Sequence, residues 1–160
     1  MNLRVFFILL LIFFYAVEPG YSQHREFNRS VFYNVLASEI VPDIDTQLRI
    51  VNESFIVEKE AYEGALLMKK AGLLKKPKDK LSFFKTGRVK LESSISNDKD
   101  NTEYHFLRLI IQEHAPKVVK YRNELKGDSI LIRTNFKNLS PILQQVILDY
   151  CKKSTILKIP

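Results

Sequence analysis

Cysteine is almost absent from this 160-residue sequence, which contains Cys151 alone. One thiol cannot form a disulfide within the chain, and zinc sites that need two or four cysteines are excluded by count. The stability of the folded chain must therefore come from packing. Cys151 follows Tyr150 at the edge of an apolar helix face, so we interpret it as a small packed thiol. A nucleophilic role would require a nearby histidine and an orienting group.

Glycine and histidine are also scarce. The five glycines form no G-x-S-x-G motif, phosphate-binding loop or dinucleotide-binding fingerprint. The three histidines are His24, His105 and His114, and they form no H-E-x-x-H motif. His105 and His114 are nine positions apart, which places them on opposite sides of a helix, so we expect surface or partly buried side chains. The sequence thus predicts no catalytic residue, no cofactor and no metal site.

A long apolar run occurs only at the start of the chain. Arg4 supplies the one early positive charge, and 13 apolar residues follow from Val5 to Val17. Together with the small residues Gly20 and Ser22, this pattern is typical of a secretory signal peptide. We predict a leader at residues 1–22, with cleavage after Ser22. The alternative is an uncleaved anchor, but a membrane span needs about 20 apolar residues.

Cleavage would leave residues 23–160, which we predict to be a single exported domain in the periplasm or outside the cell. Arg4 and Glu18 cancel, so the net charge stays at +7, and we expect no membrane span in this part of the chain. Strict alternation of apolar and polar residues, which strands would require, is lacking. Apolar residues instead recur three and four positions apart. We therefore predict an all-α domain of seven or eight short helices joined by polar turns.

The predicted helices follow this periodicity and the cap residues. They cover residues 27–40, 41–54, 55–74, 76–98, 102–114 and 140–150. We expect Asn101 or Asp100 to cap the helix at residues 102–114, and the last helix begins at Ser140–Pro141, a typical N-cap and first residue. Between residues 117 and 138 we predict a short helix, a break near Gly127 and another helix that begins at Asp128 or Ser129.

The helix at residues 102–114 is apolar on nearly all sides, which is typical of a central helix. We expect Leu107 and Ile111 to be buried at the centre of the domain. Leu91 and Ile95 of the preceding helix should pack against them, as a helical hairpin requires.

One charge interrupts the apolar stripe of that preceding helix. The stripe runs through Leu81, Phe84, Arg88, Leu91 and Ile95. We expect Arg88 to lay its methylene groups on the core and to lift its charge to a carboxylate or to water.

Residues 91–110, LESSISNDKDNTEYHFLRLI, resemble the joint between two tetratricopeptide repeats. The matching positions are Leu91, Ile95, Asp98, Asp100, Asn101, Tyr104, Leu107 and Ile111. Lys99 stands where these repeats usually have proline. The resemblance is centred on residues 88–114 and covers about a third of the chain. It implies short antiparallel helical hairpins stacked in a compact, solenoid-like, right-handed array.

The chain as a whole resembles small uncharacterised exported helical proteins of the Bacteroidota. The residues that carry this resemblance are EAYEGALLMKKAGLL at 60–74, NTEYHFLRLIIQEHAPK at 101–117 and GYSQ at 20–23. The resemblance implies an exported helical protein and brings no assigned activity.

Positive charge is concentrated in residues 69–90, which we call the basic segment. Its cations are Lys69, Lys70, Lys75, Lys76, Lys78, Lys80, Lys85, Arg88 and Lys90. Asp79 is the one acidic residue among them. The segment is either a solvated face or a patch that binds an anionic envelope surface or polymer. Nucleic acid is a poorer candidate, because export removes most targets and no groove of aromatic and basic residues is evident.

Three functions fit these observations. The leading hypothesis is a non-enzymatic protein-interaction module of the cell envelope, which contacts another protein through a groove between hairpins. The alternative is a binder of anionic envelope material through the basic segment. The third is an enzyme of unknown class, which a pocket holding His105 or His114 beside a carboxylate would support.

Overall fold

The computed structural model describes residues 26–159. The predicted leader, its cleavage site and His24 lie outside these residues. Within them the chain forms seven α-helices and two short 3-10 turns and no strand, so the all-α prediction is confirmed. The α-helices are α1 (Arg29–Ala37), α2 (Val41–Glu53), α3 (Lys59–Leu73), α4 (Pro77–Asn97), α5 (Thr102–His114), α6 (Leu125–Asn135) and α7 (Pro141–Cys151), and the 3-10 turns are Lys117–Val119 and Phe136–Asn138.

Local sequence signals account for where two of the helices begin. The side-chain oxygen of Asn101 accepts the backbone N–H groups of Glu103 and Tyr104 at 3.2 and 3.3 Å, which starts α5. Ser140 starts α7 in the same way, since its Oγ accepts the N–H of Leu143 at 3.4 Å. Each cap satisfies backbone donors that the first turn of a helix leaves without partners. Both predicted helix starts are confirmed.

The prediction of a helix from residue 55 is wrong for its first four residues. Residues 54–58 form a loop, in which Phe55 and Val57 are exposed and Ile56 packs against the core. The apolar residues of this loop therefore alternate in direction, as in an extended chain, and one of them reaches the core without a helical turn. Lys59 closes the loop, because its Nζ donates to the backbone oxygen of Asn52.

The predicted break at Gly127 is also wrong, because α6 continues through this glycine. Gly127 has a negative φ, and the nearest atom to a Cβ built there is Glu124 Oε2 at 3.8 Å, so nothing local requires a break. Asp128 does not cap a new helix. It is buried and bound by Arg108, and this contact with another helix outweighs its preference for a cap position.

Helices α3 and α4 form the most extensive contact and run antiparallel. Lys90 pairs with Glu60, whereas Lys70 lies over Phe83, so residue numbers rise along one helix and fall along the other. The helices approach most closely at Gly64 and Gly87. A Cβ on Gly64 would lie 2.7 Å from the backbone oxygen of Gly87, and a Cβ on Gly87 would lie 2.5 Å from the oxygen of Gly64. Only glycine permits this separation of the two backbones.

Helix α5 lies at the centre of the core, as predicted. Leu107 is fully buried and Ile111 is nearly so, and both belong to the same hydrophobic cluster as Leu91 and Ile95 of α4. All seven helices contribute buried side chains to this cluster, and the C-terminal segment adds Leu157. The predicted residues of the two helices joined by residues 98–101 therefore share one core, whereas their direct packing as a hairpin stays a prediction.

The apolar stripe predicted for α4 is only half correct. Leu91 and Ile95 are buried and Phe84 is partly buried, but Leu81 is 54% exposed and Arg88 is exposed. Helix α4 turns Gly87 toward α3, and Leu81 lies about 120° around the helix from that direction. The early part of the stripe therefore faces away from the core.

Candidate functional site

Ten of the 13 residues of α5 are buried. The helix nevertheless carries four acidic or basic side chains into the protein interior or to its edge. Glu103, His105 and Arg108 are buried, and Glu113 is half-buried. Each is surrounded by partners from other parts of the chain. They form three groups, which we call the Glu103 cluster, the His105 cluster and the Glu113 cluster.

The Glu103 cluster ties α1 and α3 to α5. The hydroxyl groups of Tyr33 and Tyr62 donate to Glu103 Oε1 at 3.0 and 2.6 Å. Arg29 Nε lies 3.1 Å from the same oxygen, and Arg29 also donates to Glu58 at 2.9 Å. Burial raises the pKa of Glu103 above its ordinary value and outweighs the opposing hydrogen bonds and the charge of Arg29. Burial also raises the pKa of both tyrosines, so both stay protonated as hydrogen-bond donors.

The His105 cluster joins α5 to α6 and to the turn that precedes α5. The imidazole Nδ1 of His105 lies 2.7 Å from Asp128 Oδ1, and its Nε2 lies 2.9 Å from the backbone oxygen of Lys99. The hydrogen bond with Asp128 is the main cause that raises the pKa of His105 above its ordinary value. His105 is more buried than the surface or partly buried position expected for it, since only 8% of the residue is exposed.

Arg108 links the His105 cluster to α4. Its Nε and Nη2 donate to the two oxygens of Asp128 at 2.9 and 2.7 Å, and its Nη1 donates to Glu92 at 3.0 Å. The hydroxyl of Tyr121 donates to the other oxygen of Glu92. The guanidinium of Arg88 lies over the Tyr121 ring, 4.8 Å from its centroid. Arg88 is exposed and thus reaches water as expected, and its guanidinium rests on Tyr121, a buried member of the core cluster.

The Glu113 cluster fastens the C-terminal segment to α5. Tyr150 and Ser154 donate to Glu113 Oε2 at 2.8 and 2.7 Å. Thr155 donates its backbone N–H and its hydroxyl to Oε1 at 2.6 and 2.9 Å. Burial acts to raise the pKa of Glu113, but these hydrogen bonds outweigh it and hold the pKa below its ordinary value. The carboxylate is thus the anchor of residues 154–157, whose Leu157 is fully buried.

In all three clusters the charged side chains bind other groups of the same chain. A general base needs a free lone pair within reach of a substrate proton, and both ring nitrogens of His105 already face acceptors. His105 does lie beside a carboxylate, as the enzyme hypothesis required, but Arg108 occupies both oxygens of that carboxylate. Among residues 26–159, no group of three His, Cys, Asp or Glu side chains is arranged to hold a metal ion.

Cys151 is half-buried and packs against the core cluster, in agreement with the packed thiol predicted for it. Burial raises the pKa of its thiol, which opposes formation of the reactive thiolate. His114 is exposed, and its Nδ1 lies 2.9 Å from the backbone oxygen of Ile110. Within the part of the chain that the structure describes, no helix combines the length and the hydropathy needed to cross a membrane.

Three lysines of the basic segment are used within the fold. Lys70 forms an ion pair with Asp45, and its Nζ lies 4.6 Å from the centroid of the Phe83 ring. Lys90 pairs with two glutamates of α3 at 2.7 and 3.0 Å. Lys69 is half-buried, and burial lowers the pKa of its ammonium group. Lys70 and Lys90 thus hold α2, α3 and α4 together and are not free for a partner.

Five lysines of the basic segment remain exposed, and within residues 26–159 none of them forms an ion pair. They are Lys75, Lys76, Lys78, Lys80 and Lys85. Asp79, the one acidic residue of the segment, is half-buried. These lysines surround the connection between α3 and α4 and the first turns of α4. The sequence therefore placed the basic segment correctly but overstated how many of its charges reach solvent unpaired.

The side of α4 that faces away from Gly87 mixes positive charge with exposed apolar side chains. We call this surface the outer strip; it consists of Lys78, Leu81, Ser82, Lys85, Arg88 and Val89. The helical repeat places these six residues within an arc of about 120°. Leu81 is 54% exposed and Val89 is 70% exposed, so the strip is amphipathic even though it faces solvent.

Sequence reasoning missed the buried charges of α5 and their partners. Helix 102–114 was interpreted from its apolar residues alone, and Glu103 and Arg108 received no role. One signal was available, because an arginine in the middle of a helix that is apolar on nearly all sides needs a buried partner. The identity of that partner, Asp128, could not be derived, since it depends on how α6 packs.

Comparison of the chain with protein-family models, with curated proteins and with solved structures gave no match. The clusters of α5 and the outer strip are therefore interpreted from their geometry and charge.

Proposed function

We propose that this chain is a non-enzymatic, exported helical module that binds a partner protein of the cell envelope. The leader pattern at residues 1–22 and the resemblance to exported helical proteins of the Bacteroidota support the location. The internal use of His105, Asp128 and Glu113 supports a role without catalysis, because His105 and Asp128 bind each other and Glu113 binds the C-terminal segment.

The outer strip of α4 is the observation that carries the proposal. It presents Lys78, Lys85 and Arg88 beside Leu81 and Val89 on one continuous helix face. Cationic side chains steer an acidic partner toward the surface, and exposed apolar side chains add contact area that water leaves on binding. A protein with acidic residues around an apolar patch has the complementary chemistry.

The proposed architecture behind this surface is the tetratricopeptide-like array. Antiparallel packing of α3 with α4 and of α5 with α6 supports it, since such arrays stack antiparallel hairpins. A right-handed stack of this kind would leave α4 with one face on α3 and the opposite face free for a partner.

The second candidate is binding of anionic envelope material. The five exposed lysines without ion pairs favour it, because a polyanion or an anionic lipid surface responds to charge density and needs no apolar complement. The two candidates differ in the role of Leu81 and Val89, which matter only for a protein partner.

Affinity isolation from envelope extracts, with a matched set of variants, separates the two candidates. One variant changes Leu81 and Val89 to Ser. A second reverses the charge of Lys75, Lys76 and Lys78 by substitution with Glu. The control reverses three exposed lysines elsewhere, Lys117, Lys126 and Lys137.

For a protein partner we expect one reproducible protein to be lost with the Leu81 and Val89 variant and with the charge variant, and kept with the control. For anionic material, vesicles that contain anionic lipid should lose binding with the charge variant alone, and binding should weaken steeply with added salt. Retention of every bound component by the Leu81 and Val89 variant and by the charge variant would refute both candidates.

A further inference from the structure

The imidazole of His105 lies between two hydrogen-bond acceptors. Its Nδ1 is 2.7 Å from a carboxylate oxygen of Asp128 and its Nε2 is 2.9 Å from the backbone oxygen of Lys99. A neutral imidazole carries one N–H and one lone pair, so it can satisfy only one of these acceptors. Both acceptors are satisfied only when each ring nitrogen carries a proton, as in the doubly protonated, positively charged ring.

The surroundings of the ring favour this charge. Asp128 of α6 and Arg108 of α5 are the charged groups that act most strongly on His105. Arg108 Nη2 lies 3.3 Å from His105 Nδ1, and Arg108 is itself shared between Asp128 and Glu92 of α4. Two positive and two negative side chains therefore balance when His105 is protonated. Loss of the proton leaves one negative charge in excess among these four side chains, of which Asp128 is buried and Glu92 is partly exposed.

The two acceptors belong to different parts of the fold. Lys99 lies in the turn between α4 and α5, and Asp128 lies in the first turn of α6. His105, on α5, connects them through one ring. If the ring loses a proton, one of its two nitrogens presents a lone pair to an oxygen, and the contact between those two atoms changes from attractive to repulsive.

We propose that protonated His105 is a pH-dependent tie, which holds the turn at residues 98–101 and helix α6 against α5 and which loosens when the ring loses its proton. The device is independent of the proposed binding function, because it concerns the joint between α4, α5 and α6 rather than the outer strip.

The direction of the effect follows from linkage. The pKa of His105 is raised in the folded protein relative to its ordinary value near 6.5. The stabilisation is therefore complete below about pH 6.5, the ordinary pKa of histidine in an unfolded chain. It is lost as the pH rises through the higher folded pKa. Between the two values the folded state binds one more proton, so the ratio of unfolded to folded protein rises about tenfold per pH unit.

Nitrogen-detected NMR of the histidine rings is the decisive measurement on the unaltered protein. We expect both nitrogens of His105 to carry protons at pH 6.5, and its titration midpoint to lie above the ordinary histidine value of about 6.5. A neutral His105 ring at pH 6.5, or a midpoint at or below that ordinary value, would overturn the proposal.

Denaturant unfolding across pH 6 to 9 tests the consequence. His105→Gln should remove the loss of stability that the wild type shows as the pH rises, while His114→Gln should keep it. If the wild type and His105→Gln showed parallel pH profiles, the proposed tie would be wrong. Should His105→Gln fail to fold, hydrogen exchange of α6 amides in the wild type gives the same information, because protection beyond the ordinary pH effect should fall through the His105 titration.

Discussion

The interior of α5 and the outer strip of α4 use charge in opposite ways. On α5, Glu103, Arg108 and Glu113 each meet several partners at hydrogen-bond distance, so their charges hold helices together. On the outer strip, Lys78 and Lys85 are exposed and, within residues 26–159, form no ion pair. The difference shows that the charge of a residue does not indicate its role, which depends on whether the fold supplies a partner.

Removal of a partner inside α5 should have the largest effect. Asp128→Ala deletes the carboxylate that binds both Arg108 and His105, and it leaves these two buried cations with Glu92 alone as a negative partner. We expect a loss of about 3–5 kcal/mol in the free energy of unfolding, the range for breaking a buried pair. Asp100→Ala, at an exposed turn position, is the control and should cost no more than about 0.5 kcal/mol.

Denaturant titration of both variants measures this contrast. Similar small losses for Asp128→Ala and Asp100→Ala would mean that the His105 cluster adds little to stability, and the comparison between the two regions would fail.

The contact between α3 and α4 should respond to a single methyl group. A Cβ on Gly64 would meet the backbone oxygen of Gly87 at 2.7 Å and the backbone nitrogen of Leu91 at 2.8 Å, so Gly64→Ala must push the helices apart. We expect a loss of about 1–3 kcal/mol, as for an overpacked core. Thermal or denaturant unfolding provides the measurement.

Gly72→Ala is the matched control for that substitution. Gly72 also lies on α3, but no atom lies within 4 Å of a Cβ built there. The alanine restricts the unfolded chain and should stabilise the protein by about 0.4–1 kcal/mol. Opposite signs for the two glycines would confirm that α4 approaches α3 at Gly64, whereas equal signs would argue against this packing.

The Glu113 cluster should make the attachment of the C-terminal segment depend on pH in the acidic range. The pKa of Glu113 is lowered in the folded state, so its stabilisation is present above the ordinary glutamate pKa. It is lost as the pH falls through the lower folded value. As the pH falls below about 4.5 the hold on the C-terminal segment should weaken progressively, and backbone amides at Thr155 and Leu157 should lose protection from hydrogen exchange.

Glu113→Gln separates this effect from general acid unfolding. The variant lacks the titrating carboxylate, so amides 154–157 should be weakly protected at neutral pH and should change little on acidification. If wild type and variant lost protection over the same acidic range, the fastening of the tail would not depend on the charge of Glu113.

Charge reversal on the exposed lysines should have the smallest effect on stability. Lys75, Lys76 and Lys78 are exposed, and substitution of each by Glu should change the free energy of unfolding by no more than about 0.5 kcal/mol. Lys90→Glu, which also reverses one charge, should cost more because Lys90 pairs with Glu60 and Glu63 at 2.7 and 3.0 Å. Denaturant midpoints of the four single variants test this order.

The helices and the central place of α5 could be predicted because their signals are local. Apolar spacing predicted α4 and α5, and Asn101 and Ser140 predicted helix starts, since a cap bonds atoms two or three residues away. The loop at residues 54–58 was missed because Ile56 reaches the core without a helix. The break at Gly127 was expected from glycine alone, although α6 tolerates it.

The sequence by itself determined the helical class, most helix positions and the concentration of positive charge in residues 69–90. Only the tertiary structure decided which charges have partners, because those partners are distant in the chain. Tyr33 and Glu103 are 70 positions apart, and Arg108 and Asp128 are 20 apart. Local patterns report which face of a helix is apolar, but the energy of a buried charge depends on atoms that only packing brings within hydrogen-bond distance.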